Sequence, residues 1–180
     1  MLIIERAEVL GRAESLDTDK SSNQMLSELT QDFKISRQYD IFLAHSYKDP
    51  DLICGVKLLL EDMGYSVYVD WIEDYRLVGN FVSPETVQRL KKRMNNCRAF
   101  FYIATSEKDT YQWLPWMCGF FEGLKGKVAI LPVTDKASNK FDGQGYLGIY
   151  PYCTKMANLH IHTDPYNHKK RILFKQWVNE

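Results

Sequence analysis

The chain has no surplus charge of either sign. Lysine plus arginine and aspartate plus glutamate each number 23, so no net field draws it to nucleic acid or to an anionic membrane surface, and neither partner is expected. It also has no long apolar run. The opening "MLIIERAEVLGR" is broken by charge within five residues, and nothing approaches the roughly 18 apolar residues needed to span a bilayer. The expectation is a soluble, cytoplasmic protein. Cysteine is sparse: Cys54, Cys97, Cys118 and Cys153 stand far apart, with no C-x-x-C pair. Their apolar settings suit reduced, buried thiols better than disulfides or zinc ligands. No internal repeat or low-complexity tract divides the 180 residues, a length with room for one well-buried core and an extension.

What the chain does have is a change of texture near Arg37. Residues 1–37 read as an arm: a possible short helix from Leu2, a linker "SLDTDKSSNQ", and a second helix opened by Ser21 with Gln24 three residues on, the spacing of a capping box. Met25, Leu26, Leu29 and Phe33 place one apolar stripe on that second helix. From residue 38 to 180 short apolar runs alternate with helical patterns. "YDIFLAHS", "YSVYVDW", "CRAFFYIAT" and "KVAILPV" read as strands, over about residues 39–45, 66–70, 98–104 and 127–133. Between them lie "DLICGVKLLLEDMG", a helix stopped by Gly64, "SPETVQRLKKRMNN", capped by Ser83 with Pro84 at its first position, and "PWMCGFFEGLKG". Alternation of this kind specifies an α/β fold, a parallel sheet in doubly wound order with helices on both faces. After Val133 the pattern weakens. "TDKASNKFDGQG" reads as a loop, "YLGIYPYC" and "NLHIHT" as short strands, and "YNHKKRILFKQWVNE" as a terminal amphipathic helix.

In such a sheet, ligands bind outside the carboxyl ends of the strands, where neighbouring crossovers diverge. The loops that matter are therefore "HSYKDP", "DWIEDYRLVGNFVS" and "SEKDTYQW". None of the three is a phosphate cradle, since none holds a G-x-G-x-x-G or Walker sequence. No G-x-S-x-G elbow follows a strand. His160, His162 and His168 lack accompanying carboxylates at metal-ligand spacing, so the first two read as strand or loop histidines and no metal site is expected.

"YDIFLAHSYKD" resembles the first-strand box of Toll/interleukin-1 receptor (TIR) domains, with Asp40, Phe42, Ser46 and Asp49 matching and Ala44 where a serine is usual. "YSVYVDW" with its long following loop is similar to the family's second strand and BB loop. "FFYIATSEKDTYQW" resembles the third strand running into the W-x-x-x-E helix, and "LFKQW" the C-terminal Phe-Trp region. The likeness spans about residues 38 to 178 and is strongest to the bacterial stand-alone, Thoeris-like branch. The resemblance implies a flavodoxin-like three-layer fold. It also implies one of two jobs in immune or antiphage signalling: cleaving NAD+ at the nicotinamide–ribose bond to give ADP-ribose-type signals, or acting as a non-catalytic scaffold through TIR–TIR self-association. NAD+ or a related nucleotide would be substrate or ligand, no separate cofactor is implied, and the expected assembly is a homo-oligomer.

The two jobs divide at one side chain. Breaking the glycosidic bond leaves an oxocarbenium-like ribose, which a carboxylate beneath it stabilises. Here Trp113 opens the W-x-x-x-E spacing, and the expected glutamate is Met117. A thioether carries no charge and accepts hydrogen bonds weakly. Loss of one preorganised electrostatic group costs about 2.7 to 4 kcal/mol, or roughly 100- to 1,000-fold in rate. Glu122 lies five residues beyond Met117, rotated about 140° around the helix axis, and Glu85 reads as a first-turn glutamate favourable to its helix dipole. Glu107 and Asp109, in the loop after the third strand, are the possible stand-ins. Ser46, Asp49, Asp70, Trp71 and Trp113 remain as ribose, phosphate or base-stacking contacts implied by the resemblance. Met117 also has a plainer reading as core, since Trp113, Phe121 and Leu124 recur with it at helical spacing.

Overall fold

The computed structural model describes residues 3–15, 37–45, 49–69, 83–106, 113–138, 141, 143, 145–167 and 169–180. The expected second arm helix, residues 21–33, lies outside them. Four strands carry the centre: β2 (Tyr39–Ala44), β3 (Val67–Tyr68), β4 (Cys97–Ala104) and β5 (Val128–Thr134). They run parallel in the order β3-β2-β4-β5, the doubly wound, flavodoxin-like order. Between them come α2 (Pro50–Asp62), α3 (Pro84–Asn95) and α4 (Trp113–Lys125).

Alternation along the strands sorts the core into two faces. Ile41 and Leu43 of β2, with Phe101 and Ile103 of β4, point to the side that holds Leu52, Val56 and Leu60 of α2. Phe42 and Ala44, with Phe100 and Tyr102, join Leu90 and Met94 of α3 and Leu114, Met117, Cys118 and Phe121 of α4 on the other side. Two apolar faces per strand are why these segments read as continuous apolar runs. Asp40 fastens the amino end of this arrangement: its Oδ2 accepts from both the Ser66 amide and the Ser66 hydroxyl at 2.9 Å, joining β2 to the start of β3.

The helix ends follow from local chemistry. Asp49 caps α2 by accepting the Leu52 amide at 3.0 Å, with Pro50 at the first position. Ser83 caps α3 by accepting the Thr86 amide at 3.2 Å, ahead of Pro84. In both, a side-chain oxygen satisfies an amide with no helical partner, and proline occupies a site where no amide is needed. Gly64 (φ +84°) and Gly126 (φ +63°) terminate α2 and α4 in the left-handed region, which glycine enters without steric cost.

The arm's first elements are built into the domain. β1 (Ile4–Glu5) pairs in parallel with the last residues of β5, Ile4 opposite Val133, and α1 (Arg6–Glu14) packs on α2. The approach is close: a Cβ added to Gly55 would stand 2.0 Å from the Val9 carbonyl oxygen. Ion pairs Arg6–Asp49 and Arg12–Asp62 tie α1 to the two ends of α2, the second as a fork with contacts of 2.6 and 3.0 Å.

Beyond β5 the structure departs from expectation. "YLGIY" is not a strand: Gly145–Ile149 forms a 3-10 turn, and β6 begins only at Tyr152 (Tyr152–Lys155). β7 (Leu159–His162) follows as expected. The terminal amphipathic helix is a strand, β8 (Arg171–Leu173), antiparallel to β7, followed by one helical turn, α5 (Phe174–Trp177). Its first half is diverted by turns in which Asp164 and Asn167 side chains accept the Tyr166 and Lys169 amides at 3.0 and 3.2 Å. Such local bonds compete with helix formation. Phe174 and Trp177 bury on the α2 face with i, i+3 spacing, which one turn satisfies as well as a long helix does. The sheet is thus mostly parallel, with an antiparallel β6-β7-β8 edge. Among the described residues no helix is long and apolar enough to cross a membrane.

Candidate functional site at the carboxyl ends of the sheet

The crossovers part between β2 and β4. The chain leaves β2 through α2 on one face and returns to β4 through α3 on the other, the topological point at which a sheet of this order offers a ligand crevice at its strands' carboxyl ends. Of the residues expected there, Asp49, Trp113 and Met117 are described; Ser46, Asp70, Trp71, Glu107 and Asp109 lie outside the described residues.

Met117 sits in the second turn of α4, which starts beyond the carboxyl end of β4, and is 1% exposed. It belongs to the cluster of Leu114, Cys118 and Phe121 with the sheet residues Phe100, Tyr102 and Ile130. Trp113, one turn earlier, packs half-buried against the same cluster, so the two ends of the W-x-x-x-E spacing share a face. Trp113 also starts a second row. Its ring meets Trp116 edge-on at 5.4 Å, Trp116 stacks on Phe120 at 5.6 Å, and the Lys91 ammonium lies 5.4 Å from the Phe120 ring centre. Glu122 is exposed, as its rotation from Met117 requires. Burial in this apolar layer pushes the neighbouring Cys118 thiol up to about 12, with the Glu122 charge adding to the effect. A group introduced at 117 meets the same apolar surroundings.

Asp49 is more engaged than a free ligand contact. One carboxylate oxygen caps α2 and the other takes the Arg6 guanidinium. At the same end of the sheet, the Ser106 hydroxyl donates to Asp135 at 3.0 Å, joining the segments that follow β4 and β5. Glu85 is exposed at the start of α3, where the Ser83 hydroxyl holds its carboxyl below the ordinary value. Two residues at this end were not singled out by the sequence. His45, 4% exposed, follows directly on β2, and its place in the "LAHS" box is the one available signal. Arg6 is distant in sequence from everything it serves.

A G-x-G-x-x-G spacing does occur, outside the strand-end loops, at Gly143, Gly145 and Gly148. It lies in the connection from β5 to β6, leading into the 3-10 turn rather than from a strand into an α-helix. A Cβ at Gly143 (φ +77°) would stand 2.6 Å from Gly148 Cα, so these two serve backbone packing, while Gly145 (φ +56°) takes a left-handed turn. His160 and His162 both lie on β7; His162 is buried, stacked on Tyr152 at 4.3 Å and hydrogen-bonded to Thr154 at 3.0 Å. Among the described residues no three of His, Cys, Asp and Glu gather as a metal site. All four cysteines are free and buried.

No family model matches the chain. A probable 3' cyclic ADP-D-ribose synthase ThsB' of Bacillus cereus (strain MSX-D12) is 37% identical over 170 residues, covering 90% of this chain and 86% of that protein. A putative cyclic ADP-D-ribose synthase TIR2 of Cytobacillus dafuensis is 26% identical over 103 residues, 57% of this chain and 27% of that protein.

Proposed function

Since the chain belongs to the family of bacterial Thoeris-type TIR proteins, we propose that its carboxyl-end crevice is the nucleotide site of an NAD+-cleaving ancestor, retained for binding NAD+ or a related nucleotide and weak or silent in turnover. The setting is antiphage signalling in the cytoplasm, and other TIR domains, copies of this chain included, are the expected protein partners. The observation that carries the reading is the buried Met117 in the position of the expected carboxylate.

The chemistry gives the reason. Nicotinamide leaves with the bonding electron pair, and positive charge grows on the ribose ring as it goes. A carboxylate one turn into α4 would face that charge at the mouth of the sheet. Methionine supplies bulk of similar length and no charge, so the site keeps its shape and loses its electrostatic stabilisation. Asp49, Trp113 and the residues at 46, 70 and 71 are assigned to ligand contact. Glu107 and Asp109 are the stand-ins to test if turnover persists. Any product would be of the ADP-ribose class that the names of the relatives describe.

The experiment is nicotinamide release from NAD+, measured for the chain and for Met117→Glu alongside their melting temperatures. The expected result is slow or absent release by the chain and a rise of at least about 100-fold in the variant, the scale of one restored electrostatic group. A folded Met117→Glu that binds NAD+ and releases no nicotinamide would defeat the enzymatic ancestry as an account of this protein. Fast release by the unaltered chain would move attention to Glu107→Gln and Asp109→Asn. A second reading, a non-catalytic scaffold that self-associates, draws on the half-buried Trp113, Trp116 and Phe120 ladder on α4. It takes the place of the first if no nucleotide binds.

A further inference from the structure

We infer that Arg6 is a positioning residue for the crevice: from the β1–α1 unit it fixes the Asp49 carboxylate at the head of α2. The inference rests on the reading of the crevice as a nucleotide site. Asp49 stands at the head of α2, the helix that follows β2. Its Oδ1 accepts the Leu52 amide at 3.0 Å, its carbonyl accepts the Ile53 amide at 3.2 Å, and its Oδ2 takes the Arg6 guanidinium. The cap would form without the arginine. What Arg6 adds is a second anchor on an element that comes from elsewhere in the chain.

That anchor has a rigid base. Ile3 and Ile4, just before Arg6, are buried. The Ile3 amide donates to the Ser138 carbonyl at 2.8 Å, Ile4 is in register with Val133, and Val9 is buried against Gly55. The guanidinium therefore reaches Asp49 from backbone that is fixed on both sides. Magnitudes separate positioning from bulk stability. The side chains of Arg6 and Asp49 are 29% and 30% exposed, and an ion pair this open to solvent contributes little to folding. The buried contacts of Ile4 and Val9 hold β1 and α1 in place without it. Loss of Arg6 should leave the fold standing and loosen one corner of it.

The test compares the full chain with Arg6→Gln and Arg6→Lys by amide hydrogen exchange, NAD+ titration calorimetry and melting temperature. In Arg6→Gln, exchange at Leu52 and Ile53 should quicken by about ten-fold, the scale of losing one local restraint, while the remaining sheet and helices are unchanged. NAD+ affinity should fall several-fold, and the melting temperature by no more than about 4 °C. Arg6→Lys, which keeps the charge and loses the planar fork, should restore part of both effects. It also carries the comparison if Arg6→Gln fails to fold. Unchanged exchange at residues 49–53, equal loosening everywhere, or an NAD+ affinity equal to that of the unaltered chain would each overturn the inference. If the unaltered chain binds no NAD+, the nucleotide reading fails and the exchange data alone decide whether Arg6 holds Asp49.

Discussion

At the scale of single residues, Met117 and Cys118 share one apolar layer and answer to one rule, that burial there favours the uncharged form. Burial raises the folded Cys118 thiol from its ordinary 9.0 to about 12. Its contribution to stability is therefore complete below about pH 9, where folded and unfolded thiols are both protonated, and is lost as pH rises from about 9 toward 12. The stability difference between the chain and Cys118→Ala, read by urea unfolding, should accordingly narrow with pH across that window; a difference that widened would contradict the burial. Met117→Glu should behave as the acid counterpart, more stable near pH 5 than near pH 8, because a carboxyl buried among Leu114, Cys118 and Phe121 has its folded pKa raised and loses stability as pH climbs through it. That Met117 shares a helix face with Trp113 was legible from their spacing. Its burial was legible only as one of two readings, since one apolar face can line a cleft or a core. The engagement of Asp49 by Arg6 was not legible, because no local pattern links a residue to a partner 43 positions away.

Among the elements, those with chemical punctuation were readable. Ser83-Pro84, Gly64 and Gly126 mark helix ends by capping and left-handed backbone, which are effects between near neighbours. Replacing Ser83 by alanine should cost about 1 kcal/mol, the typical value of a lost cap, seen as a lower urea midpoint. Gly55→Ala tests packing by its sign. In an isolated helix alanine is favoured over glycine by about 1 kcal/mol, but here the added Cβ meets the Val9 carbonyl at 2.0 Å. A loss of about 1–3 kcal/mol is expected from overpacking against backbone, or roughly 2–12 °C in melting temperature for a chain of this size. An increase would mean that α1 does not approach α2 as described. The C-terminal segment was misread for the opposite reason. Its apolar spacing suits strand and helix alike, and the choice was made by turns at Asp164 and Asn167 and by the exposed edge of β7.

For the whole molecule, the sequence revealed the layered sheet because each central strand must be apolar on both faces, a constraint that every residue of β4 after Arg98 obeys. With all four thiols inside that core, the intact mass under denaturing conditions should be the same before and after reduction; a gain of two hydrogens would reveal a disulfide. The sequence did not reveal where its first residues go. β1 is two residues long, too short for any periodicity, and its partner is the end of β5. That pairing has a consequence in time. The chain is synthesised from its amino end, so Ile4 emerges before Val133 and must wait for it. At about 5–20 residues per second the wait is roughly 6–26 s, during which two isoleucines meant for the core face solvent or a chaperone. Ribosome-bound chains halted before β5 should be cut by protease within residues 3–15, and chains released at full length should resist at the same sites. The β1–α1 unit, made well before the sheet, gains its strand partner only when β5 arrives.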